Sequence, residues 1–162
     1  VPCLQLRLKI VPTHQALWMR ERPDLFVNHD SSGYFYGTIS AGPVNDVLVA
    51  GVNRSKDLTI KKRYYSELTW PNTITEDDEI SRVLELWMGY TNRAPFGLLP
   101  SIEKGTYNCN SFIASVLSFG LLRTRQVLSD SIFPGIGNKI PKRFFEQSAM
   151  LKGSPFGHEA HE

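Results

Sequence analysis

Cysteine is scarce in this 162-residue chain: there are two, Cys3 near the amino end and Cys109 two-thirds of the way along. Two cysteines cannot make a disulfide-dense scaffold, and with no CxxC pair and no His/Cys cluster at zinc spacing a metal site is not expected. Counting leaves a Cys3–Cys109 disulfide open, but their local contexts differ, and a free Cys109 is the expectation carried forward. Charge of one sign is scarce as well. The 18 Lys+Arg and 16 Asp+Glu leave a net charge of +2, too little for nucleic acid or an anionic membrane to be the main partner. No apolar run approaches the roughly 20 residues of a membrane span. The alternating amino end lacks the unbroken apolar core of a signal peptide, and because the sequence opens on Val1 rather than Met, export stays open. Internal repeats, low-complexity tracts and linker-like composition are missing too.

What is present is an ordinary globular composition, 41% hydrophobic, with nine Phe, six Tyr and three Trp to fill an interior. The length fits one domain, placed at residues 1–150 with a polar tail at 151–162. Leu4, Leu6, Leu8 and Ile10 alternate with Gln5, Arg7 and Lys9 as in a half-buried strand, which Pro12 ends. After Thr13 and His14, the run Gln15–Arg20 reads as a second strand. Asp30–Gly33 is a turn into a third strand, Tyr34–Ser40, and Val47–Ala50 and Leu58–Ile60 add shorter ones. The second half turns helical. Thr75, followed by Glu76, Asp77 and Asp78, is a capped helix start ahead of Ile80, Val83, Leu84 and Trp87 at helical spacing. A second helix begins near Asn108 and Cys109, buries Phe112, Ile113, Val116 and Leu117, and ends at Gly120. Residues 128–141, rich in Pro and Gly, read as a loop before a short closing segment, 142–150. The fold class expected is α+β.

Cysteine at the first turn of a helix meets unpaired backbone N–H groups and the positive end of the dipole, which lower its pKa and make it a nucleophile. Around Cys109 the residues Thr106, Tyr107, Asn108, Asn110 and Ser111 form a small polar collar, so its sulfur is expected to open onto a cleft and to be replaceable by alanine at little cost. A buried packing cysteine is the competing reading. A nucleophilic cysteine needs an imidazole as base. Of the four histidines, His158 and His161 lie in the polar tail and His29 beside a turn, whereas His14 opens a strand expected in the sheet, so His14 is the base expected to meet Cys109.

The segment Thr106-Tyr-Asn-Cys-Asn-Ser-Phe-Ile-Ala-Ser-Val-Leu117, preceded by a strand opening with His14, resembles the permuted branch of the NlpC-type papain-like amidases and peptidases, in which His precedes Cys. The resemblance implies a papain-like antiparallel sheet packed against helices. It makes Cys109 the attacker of an amide carbonyl and His14 the proton carrier, with a third polar residue on the following strand, Ser40 first and Thr38 second. The backbone N–H of Cys109 would serve the oxyanion. It further implies a hydrolase needing no cofactor, with peptidoglycan stem peptides as the substrate expected. The implied setting is a secreted antibacterial effector, with type VI secretion as one delivery route, acting in the periplasm of a target bacterium and answered by an immunity protein. A protease, deamidase or acyltransferase acting on protein or lipid would use the same pair. The opposing class is a non-enzymatic binding module with a structural cysteine. Its feature is Lys61-Lys-Arg-Tyr-Tyr65, basic residues beside aromatics that could also grip nucleic acid, a partner the small net charge disfavours.

Overall fold

The computed structural model describes residues 3–10, 12–54, 76–120 and 133–147. The expected strand at 58–60, the basic run 61–65, Thr75, and the tail histidines 158 and 161 lie outside the described residues.

The alternation at the amino end forms β1, Leu6–Lys9, with Leu4, Leu6, Leu8 and Ile10 all 5% exposed or less. β1 pairs antiparallel with β3, Phe35–Val44, in the register Leu6 to Ile39 and Lys9 to Tyr36. A two-residue strand β2, Asn28–His29, lies against the start of β3. β3 returns as β4, Val47–Val52, through Asn45 and Asp46 at φ 50° and 66°. Those two residues tolerate the left-handed region best after glycine, and successive positive φ values give the tight hairpin turn whose twist suits paired strands. A short β5, Ala94–Pro95, closes the sheet order β1-β3-β4-β5.

Two helices cover one face. α2, Glu76–Gly89, and α3, Cys109–Gly120, bury Ile80, Val83, Leu84, Trp87, Phe112, Ile113 and Val116 against Leu6, Leu8, Ile39, Leu48 and Ala50 of the sheet. They run antiparallel: Tyr90, just past α2, stacks edge-on to Phe112 at 5.1 Å, whereas Gly120 sits against Leu86 and Arg82 further back along α2. The chain is thus α+β, an antiparallel sheet packed against helices.

One element departs from the sequence reading. The run expected as a strand opening with His14 is a 3-10 turn, Pro12–His14, continuing into the helix α1, Gln15–Glu21. The apolar run Ala16–Met19 carries no period-two signature, and only Trp18 of α1 is buried. Pro12 and Pro23 bracket the segment as helix-start and helix-stop residues do.

Candidate functional site around Cys109

Cys109 is the first residue of α3, and it is not a free thiol: it is disulfide-bonded to Cys3, 106 residues earlier, at a Cα–Cα distance of 5.6 Å. Cys109 is thus held oxidised in this structure rather than as the free thiol expected. The polar collar does not open a cleft either. Cys109 is 4% exposed, and Asn108, Asn110 and Ser111 are all 1% or less.

Buried polar groups must be hydrogen-bonded or they cost free energy, and this collar is internally matched. Asn108 caps the helix, its Oδ1 accepting from the N–H groups of Asn110 at 3.0 Å and Ser111 at 3.1 Å. Its Nδ2 donates outward to the carbonyls of Pro134 at 2.7 Å and Leu98 at 3.3 Å. Ser111 Oγ accepts from the N–H of Asn108 and donates to the Gly135 carbonyl at 3.1 Å. Asn110 Oδ1 accepts from the Leu4 N–H at 2.8 Å, while its Nδ2 donates to Pro134 at 3.1 Å. Ser115 Oγ donates to the Ser111 carbonyl and accepts from the Ile140 N–H at 2.8 Å. Three separate stretches, the amino end, the start of α3 and the loop around Pro134, are joined here. Gly135 is obligatory at its place: its φ is +99°, and a Cβ there would overlap the Asn108 side chain.

His14 is elsewhere. Its Nδ1 lies 2.9 Å from Asp77 Oδ2, an ion-pair distance without hydrogen-bond alignment, at side-chain exposures of 44% and 28%. Asp77 Oδ1 also accepts from Trp18 Nε1 at 2.6 Å. Two rulers separate this pair from Cys109. Cys3 precedes β1 and His14 follows it, and the extended stretch from Leu4 to Ile10 spans about 20 Å. Asp77 lies in the first turn of α2 whereas Tyr90, beside Phe112, follows its end, again about 20 Å along the helix. The structure does not bring His14 and Cys109 together, and a base must come within hydrogen-bond reach of its nucleophile.

Ser40, expected to orient His14, is also misplaced for that role. With Lys9 opposite Tyr36 and Leu6 opposite Ile39, Ser40 lies toward the Cys3 end of β1, away from His14. Ile39 and Ala41 point into the core, so Ser40 faces the other side of the sheet, where its Oγ accepts from Arg54 Nη1 at 3.4 Å. Thr38, on that same side, is fully buried. His29, on β2, packs against Phe35 with the rings tilted at 50° and their centroids 3.9 Å apart. Among the described residues no histidine reaches Cys109, and no three His, Cys, Asp or Glu side chains converge on a metal-sized point.

Next to the collar, residues 97–105 form a hydrogen-bonded loop. The Ser101 N–H donates to Thr106 Oγ1, the Thr106 N–H to the Ser101 carbonyl and the Gly105 N–H to the Ile102 carbonyl. It holds Leu98, Leu99 and Ile102 in solvent, at 61%, 71% and 82% exposure. The sequence reading missed it, although Gly97-Leu-Leu-Pro-Ser-Ile102, aliphatic residues in a Gly- and Pro-punctuated loop, was visible.

Comparison with protein-family models, with curated proteins and with solved structures finds no match to this chain. No helix among the described residues is long and apolar enough to cross a membrane.

Proposed function

We propose that this chain is a disulfide-anchored, non-catalytic binding domain of an oxidising compartment, with Cys109 as a structural residue. The observation that carries this reading is the Cys3–Cys109 bond, whose Cys109 end is buried among hydrogen-bonded polar side chains, with His14 at the far end of both β1 and α2. Disulfides persist where thiols are not kept reduced, outside the cytosol. The recognition element is the 97–105 loop. Large aliphatic side chains held in water on an ordered loop gain free energy when a partner protein covers them.

A second reading is favoured by one specific feature, the cysteine at the first residue of a 12-residue helix packed on an antiparallel sheet. In that reading the chain is a papain-like cysteine hydrolase of amide bonds in peptidoglycan stem peptides, an antibacterial effector acting in the periplasm, and the disulfide is its inactive form. It needs a base brought to Cys109 by a rearrangement.

Digestion of purified peptidoglycan, resolved by mass, separates the two. The first reading expects no new products from wild type, with or without reductant. Cys109-dependent cleavage by the unreduced protein overturns it. Cleavage that appears only after reduction, and is lost in Cys109→Ala, establishes the second.

A further inference from the structure

Thiol–disulfide exchange proceeds by in-line attack: the incoming thiolate approaches one sulfur along the extension of the S–S bond, and the other sulfur leaves. The two sulfurs of this bond have unlike surroundings. Cys3 is solvent-exposed, whereas Cys109 is 4% exposed behind Asn108, Asn110 and Ser111, under the loop that carries Pro134 and Gly135. Of the two ends of the bond, Cys3 is therefore the more accessible to a thiolate from solvent.

From this asymmetry we propose that Cys3 is an S-thiolation site for small-molecule thiols, and that exchange is regioselective. The thiolate RS⁻ attacks Cys3 Sγ and forms an RS–Sγ bond. The Cys3–Cys109 bond breaks, and its electron pair leaves on Cys109 as a thiolate. The number of disulfides is unchanged in this step. A second RS⁻ attacking the RS sulfur releases Cys3 as a thiolate and yields RSSR, delivering two electrons to the protein. The leaving group adds to the selectivity set by access, because a thiolate formed at the first residue of α3 sits at the positive end of the helix dipole, and a better-stabilised thiolate leaves faster. Asn108 already occupies the N–H groups of Asn110 and Ser111, so this second contribution is the smaller.

The inference rests on the disulfide and holds whether the domain binds a partner or cleaves a bond. Its test uses the oxidised wild-type protein and reduced glutathione. Brief exposure under native conditions, acid quench, capping of released thiols and peptide mapping by mass should place glutathione on Cys3 and the cap on Cys109, by at least about tenfold over the reverse. The same reaction in denaturant should lose that preference. Glutathione on Cys109, equal labelling of the two sites in the folded protein, or a disulfide inert to prolonged glutathione would each overturn the proposal.

Discussion

At one end of the α2–α3 pair, Asn108, Asn110, Ser111 and Ser115 are shut off from water and matched donor to acceptor, and a covalent bond ties them to the amino end. At the other end, His14 and Asp77 meet within ion-pair distance, with 44% and 28% of their side chains exposed. Both ends hold the residue types of a catalytic site, a cysteine collar and a His–carboxylate pair, yet about 20 Å of helix lies between them. Matched burial makes the first end a structural joint. Exposure makes the second energetically slight, because surface ion pairs are worth roughly 0–1 kcal/mol. Chemistry needs the two together, and the antiparallel helix packing holds them apart.

The contrast is sharpest on breaking the disulfide. A free Cys109 facing a cleft would tolerate alanine, whereas here Cys109→Ala should cost about 2–5 kcal/mol, because the bond closes a long loop in the unfolded chain. Thermal melting should fall by roughly 4–20 °C. An unchanged melting temperature would place Cys109 outside the joint.

A smaller effect probes the collar without touching sulfur. Gly135 and Gly33 both have positive φ, +99° and +83°, but a Cβ at Gly33 meets open space. Gly33→Ala should cost about 1 kcal/mol, from left-handed backbone alone. Gly135→Ala should cost clearly more, about 2 kcal/mol or above, since Asn108 must also give way. Equal losses in urea titrations would mean that the Asn108 network carries no stability.

How much of this was legible follows the range of each signal. Period-two alternation found β1, and helical spacing with small polar residues at the start found α2 and α3, because those patterns are local. The Gln15–Arg20 segment was misread because a short apolar run has no decisive period, and the prolines at 12 and 23 were the better evidence. The polar residues around Cys109 are visible in the sequence, but their burial depends on Leu4, Leu98 and Pro134, remote in sequence. The disulfide joins residues 106 positions apart, a tertiary fact that no local pattern encodes.

At the His14 end, Glu79 gives a pH-dependent comparison. It is shut off from solvent, neither carboxylate oxygen is hydrogen-bonded among the described residues, and desolvation raises its pKa, with Arg82 opposing and Asp78 adding to the rise. The folded state therefore holds a proton that the unfolded state releases, and stability should fall as pH rises from the ordinary glutamate range through the raised value. Glu79→Gln should remove that slope and be the more stable protein at neutral pH, by about 1 kcal/mol. A Gln variant less stable at neutral pH would show that the carboxylate has a partner. The smallest effect belongs to His14→Ala, expected within about 1 kcal/mol of wild type in the same titrations. A larger loss would make the exposed pair a second joint.

The most direct test of the structural role of Cys109 is the redox state of the two cysteines in the purified protein. Unfolding without reductant in the presence of iodoacetamide, followed by intact-mass measurement and peptide mapping, should show no alkylation and a linked Cys3–Cys109 peptide. Quantitative alkylation of both cysteines, with Cys109 reacting faster than Cys3 in the folded state, would contradict the account and restore Cys109 as a nucleophile.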